Sequence, residues 1–123
     1  MHQMTIDDAI AAGDAAIRRA ADRAERTMPG FSRRASDHMG RVAALGCILC
    51  RHLGNGATPA EVHHIRDGQG AAQRASDWLT VPLCPEHHRG APGLHGLGRR
   101  GFERRHRLSE LDLLAMTIEA LYR

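Results

Sequence analysis

Two pairs of potential metal ligands constrain this chain more than any other feature of its sequence. Cys47 and Cys50 are separated by two residues, and Cys84 and His87 repeat that spacing later in the chain. Three thiolates and one imidazole make a complete tetrahedral set for a structural zinc ion. The sequence therefore predicts a small fold that a zinc ion bound by these four residues holds together.

Other interpretations of the cysteines remain open at this stage. The odd count of three cysteines argues against a closed disulfide framework. A redox pair would be expected in a βαβ context, which the sequence lacks, and buried cysteines without a metal are a further alternative. His52 is the main rival of His87 as the fourth zinc ligand.

The composition explains why a bound metal would be useful. A chain of 123 residues can form one domain, but this one has only one Trp, one Tyr and two Phe to fill its core. A core with so few large side chains needs another source of stability. No stretch is long and apolar enough to cross a membrane, and no signal-peptide pattern begins the chain, so we expect a cytoplasmic protein.

The apolar pattern predicts long helices at both ends of the chain. Residues 5–28 should form a helix that Thr5 caps, and residues 31–40 resemble a linker. Residues 109–123 should form the last helix, with Ser109 and Asp112 as a capping box. The apolar face of that last helix is expected to comprise Leu111, Leu114, Ala115, Ile118, Leu121 and Tyr122.

Between these helices the sequence predicts short strands and turns. "AEVHHI" and "WLTVPLC" should be two strands, joined by the loop "RDGQGAAQRASD". "CPEHH" should open a helix, and "GFERRHR" should form a helical turn. The predicted class is α+β. We divide the chain into an N-terminal helix and linker, residues 1–40, and a second unit, residues 41–123.

Positive charge is concentrated between Arg89 and Arg107, where six arginines face one acidic residue. Arginine suits bidentate contacts with phosphate, and such a patch fits a polyanionic partner. A solvated surface and the arginine usage of a GC-rich genome are the alternatives. Glu61, Glu86 and Glu103 are expected to be surface residues without a function. The candidate nucleic-acid contacts are Arg89, Arg99, Arg100, Arg104 and Arg105.

Adjacent histidines occur twice, and each pair can divide two tasks. His63 and His64 lie in a predicted strand, where neighbours point to opposite faces. One could then hold a metal ion while the other stays free as a base. His88 follows His87 in a predicted helix, where neighbours do not share a face. His87 can therefore close the zinc site while His88 faces another one.

The segments "CILC", "EVHHI", "SDWLTVPLC" and "CPEHH", in that order, resemble the HNH (ββα-metal) endonucleases. Over about residues 41–107 the chain looks like phage and prophage proteins related to the recombination-enhancement, RecA-dependent nuclease. The resemblance implies a zinc-stapled, treble-clef-like ββα-metal core with flanking N- and C-terminal helices. It also implies cleavage of DNA phosphodiester bonds, with DNA and a RecA-type recombinase filament as partners.

The resemblance assigns a role to each remaining candidate residue. His63 and His88 would bind the catalytic metal ion, and His95 is the candidate for its third ligand. His64 would be the general base. Asp77 takes the place of the central Asn, which orients that base. The catalytic ion would be Mg²⁺, Mn²⁺ or Zn²⁺, in addition to the structural Zn²⁺.

Two other functions also fit the sequence. A non-catalytic zinc module that binds DNA or RNA would need the cysteines and arginines, but not the remaining histidines together. An interaction protein of phage recombination could retain a degenerate nuclease fold and dock through its Ala-rich N-terminal helix. A zinc deaminase is disfavoured, because it needs the patterns H-x-E and P-C-x-x-C, and the chain has neither.

Overall fold

A computed structural model describes residues 5–66 and 75–123 of the chain. These residues form six helices and a two-stranded antiparallel sheet, which confirms the predicted α+β class. Most of the predicted loop between the strands, residues 67–74, lies outside the described residues. The elements are α1 (Ile6–Thr27), α2 (Phe31–Ala44), α3 (Ile48–His52), β1 (Glu61–His64), β2 (Thr80–Leu83), α4 (Pro85–Arg89), α5 (Leu94–His106) and α6 (Glu110–Leu121).

The two strands lie where the alternating sequence predicted them. Their antiparallel register pairs His63 with Val81 and His64 with Thr80. The side chain of His63 is 7% exposed, whereas that of His64 is 37% exposed. The adjacent histidines therefore occupy different environments on the two faces of β1, as the pleat of a strand requires.

The first and last helices begin at the predicted caps. The N–H of Asp8 donates to the hydroxyl of Thr5 at 3.1 Å, and the N–H of Thr5 donates to the Asp8 carboxylate at 3.0 Å. Ser109 and Asp112 repeat this reciprocal arrangement at the start of α6, at 3.1 and 2.9 Å. Both boxes satisfy N–H groups that a helix otherwise leaves without partners.

The predicted apolar face of α6 is only partly right: Leu114 packs against the core and Leu121 is half-buried. Leu111, Ile118 and Tyr122 are exposed, and the buried positions of this helix are Glu110, Leu113 and Thr117. The buried positions are spaced by three and four residues, as one helix face requires. The prediction failed because it followed apolar residues only, while this face carries a carboxylate and a hydroxyl into the interior.

Residues 31–40 are not a linker, because they form most of α2. Ala35 and Val42, seven residues apart, are fully buried on one face of this helix. The intervening residues are mostly polar, which hid the helical period. The division into residues 1–40 and 41–123 stays a prediction, and α2 spans its boundary.

Helix α2 also packs against the turn that precedes β2. The ring centroid of Trp78 lies 5.7 Å from that of Phe31 and 4.8 Å from that of His38, with which it stacks. Burial is the largest influence on His38 and lowers the pKa of its imidazole, which favours a neutral packing partner. The missed helix thus supports the turn that carries Asp77.

No helix within residues 5–66 and 75–123 has the length and apolar character needed to traverse a lipid bilayer.

The hydrophobic core surrounds the predicted zinc ligands. Phe102 of α5 and Leu113 of α6 are completely buried, and both pack into the same cluster as the three cysteines. The other apolar members of this cluster are Ile48, Leu49, Ile65, Val81, Leu83 and Leu94.

Candidate metal centres and catalytic pair

Four of the predicted metal ligands meet in a buried cluster. Nδ1 of His87 lies 3.6 Å from Sγ of Cys47, 3.5 Å from Sγ of Cys50 and 3.4 Å from Sγ of Cys84. The sulfur atoms of Cys50 and Cys84 are 3.9 Å apart. Ligands of one tetrahedral zinc ion would be separated by about 3.5–3.8 Å. The cluster is therefore able to hold a metal ion such as zinc.

Two short helices bring these ligands together. Cys47 caps α3, and its sulfur accepts a hydrogen bond from the N–H of Cys50 at 3.4 Å. Cys84 precedes α4, in which Pro85 occupies the first turn and His87 lies one turn from the cysteine. His52, the alternative fourth ligand, is exposed at the end of α3 and is outside the cluster.

The buried cysteines would remain protonated thiols unless a cation stabilised their thiolates. Burial has the largest effect on Cys47 and raises the pKa of its thiol to about 11. Burial likewise lowers the pKa of His87, which favours the neutral imidazole. A metal ion would replace the thiol protons and would compensate for the charge of the thiolates.

The other predicted metal ligands form a second cluster. Nδ1 of His63 and Nε2 of His95 each lie 3.2 Å from Nε2 of His88. These atoms are all within 4.8 Å of one another, and the cluster runs from buried His63 to exposed His95. Burial, followed by the charges of His88 and His63, lowers the pKa of His95. Three neutral imidazoles with an open side could hold a divalent ion and leave coordination positions free.

Glycines allow His95 to reach His88 although six residues lie between them in the sequence. Gly93 and Gly96 lie in the turn and first residues of α5, against the backbone of α4. A Cβ atom at Gly93 would lie 2.6 Å from the carbonyl oxygen of Glu86, and one at Gly96 would collide with that of Gly90. Only glycine permits this approach, which places the start of α5 beside His88.

His64 and Asp77 form a pair on the other face of β1. Nε2 of His64 donates to Oδ1 of Asp77 at 2.8 Å. Asp77 lies three residues before Thr80, the partner of His64 in the sheet, and the Thr80 hydroxyl donates to the Asp77 carbonyl at 3.2 Å. The carboxylate holds the imidazole ring in one orientation, and it leaves Nδ1 available to accept a proton.

Glu61 is a residue that the sequence reasoning treated as an ordinary surface residue. Its carboxylate accepts from Nδ1 of His88 at 2.9 Å and from two nitrogens of Arg89 at 2.9 and 2.6 Å. The hydrogen bonds from Arg89 and then from His88 lower the pKa of Glu61 to about 2. The sequence did contain a signal for this contact. Glu61 is two residues before His63 on β1, and residues two apart on a strand lie on the same face.

Four of the five predicted nucleic-acid contacts lie on α5. Arg99, Arg100, Arg104 and Arg105 are exposed on this helix, which kinks at Gly98 and carries His95 in its first turn. Positive side chains therefore extend from the second metal cluster along one helix. The fifth predicted contact, Arg89, lies on α4, where Glu61 engages its guanidinium.

One known family matches most of the chain. Residues 32–122, about three quarters of the chain, match the family described as "Recombination enhancement, RecA-dependent nuclease". No curated protein and no solved structure matches the chain. The name of the family supports a nuclease role in recombination. The match covers α2 to α6, and the chain therefore belongs to the recombination-enhancement, RecA-dependent nuclease family.

Proposed function

We propose that this protein is a metal-dependent HNH endonuclease that hydrolyses DNA phosphodiester bonds, associated with a phage or prophage and acting in recombination or DNA processing. The proposal rests mainly on the two adjacent histidines of β1, which have different partners on the two faces of the strand. His64 bonds to Asp77 at 2.8 Å on one face, and His63 joins the three-histidine cluster on the other. A base and an ion site within one strand suit metal-assisted hydrolysis.

In this proposal His64 is the general base. Its Nε2 is engaged by Asp77, so Nδ1 takes the proton from the attacking water. A neutral ring accepts that proton through the lone pair on Nδ1. Asp77 keeps the ring oriented and stabilises the imidazolium that forms. This is the role that the resemblance gives to the central Asn.

In the same proposal His63, His88 and His95 bind the catalytic ion. A divalent ion would stabilise the negative charge that develops on the phosphate and on the leaving 3′ oxygen. The resemblance implies products with a 5′-phosphate. The chain's own residues hold that ion through neutral ring nitrogens, and the exposed position of His95 keeps the cluster open to substrate.

The arginines of α5 provide the contact with DNA. Arg99, Arg100, Arg104 and Arg105 would neutralise backbone phosphates, which gives affinity with little sequence readout and strong salt dependence. A DNA strand bound along α5 would reach the metal cluster at His95. A RecA-type filament as a second partner is part of the proposal and rests on the family name.

Nicking of supercoiled plasmid tests the proposal. His64→Ala should lower the cleavage rate by about 10²- to 10⁴-fold, the usual contribution of a general base, while zinc content stays unchanged. His52→Ala is the matched control, because this exposed histidine lies outside both clusters. Full activity of His64→Ala with bound zinc would refute the assignment.

The alternative is a zinc module that binds nucleic acid without cleaving it. The zinc cluster and the arginine surface would serve that function equally well. It would not require His64 to be oriented by Asp77 or three imidazoles to converge. Tight DNA binding with no cleavage in Mg²⁺, Mn²⁺ or Zn²⁺ would favour this alternative over the nuclease.

A further inference from the structure

Glu110 is a buried carboxylate that the proposed mechanism does not use. It is the first residue of α6, and it is 7% exposed. Its Oε2 atom is buried and makes no hydrogen bond within residues 5–66 and 75–123. A buried carboxylate needs partners that offset the free energy of its desolvation, and besides His63 the backbone of Arg66 and the charge of Arg99 act on Glu110. Such a position calls for an explanation other than packing.

The contact of the other carboxylate oxygen provides that explanation. Oε1 of Glu110 lies 3.4 Å from Nε2 of His63, while Nδ1 of the same ring faces the cluster, 3.2 Å from His88. A neutral imidazole carries one proton. If the carboxylate accepts it from Nε2, then Nδ1 is left with the lone pair that a metal ion binds.

We infer that Glu110 is a positioning residue that holds His63 in the tautomer with Nδ1 facing the catalytic ion, so that α6 completes the second metal centre. The inference rests on the proposed function, because it takes the three-histidine cluster as the site of that ion. Helix α6 carries no ligand in either cluster, and the inference gives this helix a role in orienting a ligand.

The neighbouring ligand supports this inference independently. Nδ1 of His88 contacts Glu61 at 2.9 Å, and Nε2 of His88 faces the cluster. Two ligands thus present different ring nitrogens, and a carboxylate from a different element lies on the far side of each ring. Two carboxylates behind neutral imidazoles also make the centre favourable for a divalent cation.

The substitution Glu110→Gln separates positioning from a structural role. Glutamine keeps the size of the side chain and an oxygen that can accept a hydrogen bond, but it removes the charge and can also donate. A positioning role predicts about 10- to 100-fold weaker binding of the second ion, with a melting temperature that is unchanged or raised. A structural role predicts a lower melting temperature with unchanged ion affinity.

The experiment uses the full chain with one equivalent of zinc bound, titrated calorimetrically with Ni²⁺, an ion that imidazoles bind well. Glu119→Gln is the matched control, because it removes the same charge from an exposed position of the same helix. Nitrogen NMR of the histidine rings provides a second readout. We expect the proton of His63 on Nε2 in the wild type, and a mixture of tautomers in Glu110→Gln.

The outcomes separate this inference from the proposed nuclease. Equal Ni²⁺ affinity of Glu110→Gln and Glu119→Gln, or a wild-type His63 protonated on Nδ1, would overturn the inference even if plasmid is cleaved. Weakened Ni²⁺ binding with the expected tautomer would support it even if no DNA is cleaved. If Glu110→Gln does not fold, Glu110→Met and the wild-type tautomer decide the question.

Discussion

If the cluster of Cys47, Cys50, Cys84 and His87 holds a structural zinc ion, loss of that ion should unfold the domain, and Cys84→Ser is the substitution that tests this. Cys84 is 4% exposed, and its sulfur lies 3.4 Å from Nδ1 of His87 and 3.9 Å from Sγ of Cys50. The ligand set joins α3 to α4 through the centre of the core. With serine at this position only Cys47, Cys50 and His87 would remain as ligands, and we expect them to lose the zinc ion.

The size of the effect follows from two free energies. Structural zinc contributes an apparent 10–16 kcal/mol, roughly, in small zinc-dependent domains. The entire free energy of unfolding of a domain is only about 5–15 kcal/mol. A zinc ion bound by these four residues would therefore contribute a free energy comparable to the whole stability of this protein, whose core contains a single buried Phe within the described residues. Cys84→Ser should lack a cooperative thermal transition.

Far-UV circular dichroism during heating, combined with colorimetric zinc determination, provides the assay. The wild type with one zinc ion should melt cooperatively, and excess chelator should abolish that transition. His52→Ala is the control, because it removes the rejected fourth ligand and should retain both zinc and the transition. A zinc-free Cys84→Ser protein that melts cooperatively at the wild-type temperature would refute the reasoning.

Three further predictions concern orientation, charge and helix capping. Asp77→Ala should lower kcat by about 10- to 10²-fold, less than His64→Ala, because the base remains but loses the side chain that orients it; initial rates of plasmid nicking measure this, and an unchanged rate would contradict it. Arg104→Ala should weaken DNA binding uniformly across sequences and reduce the salt slope by about 1, as anisotropy titrations at several salt concentrations would reveal. Ser109→Ala should cost about 1 kcal/mol, because it removes the acceptor of the Asp112 N–H; urea unfolding of the zinc-bound protein checks this, and an unchanged midpoint would count against the cap.

Local patterns in the sequence predicted the helices at both ends, the two strands and the zinc cluster. Each depends on a short-range rule: a capping box such as that of Thr5 and Asp8, an alternation of side chains, or a pair of ligands with two residues between them. The convergence of Cys47 with Cys84 was predicted because structural zinc takes four ligands, and not from any pattern of contacts between distant segments.

The carboxylates around the second cluster could not be predicted in the same way. Glu61 and Glu110 each begin an element, where an acidic residue is ordinarily solvated or interacts with the helix dipole. Their contacts with His88 and His63 depend on the packing of α4 against β1 and of α6 against β2, which no local pattern encodes. Helix α2 was missed for a related reason, because it is buried mainly through small Ala35 and through Val42.

The most direct test of the central claim compares cleavage with ion content in the wild type and in His88→Ala. His88 contacts both other histidines of the second cluster and is absent from the zinc cluster. Supercoiled plasmid is incubated with zinc-loaded protein while Mn²⁺ is titrated, and bound metals are quantified by elemental analysis. We predict that the wild type nicks DNA only as a second ion binds, and that His88→Ala keeps one zinc ion but does not nick. Cleavage by His88→Ala at the wild-type rate, or no cleavage by the wild type with two ions bound, would contradict a metal-dependent nuclease built on a zinc scaffold.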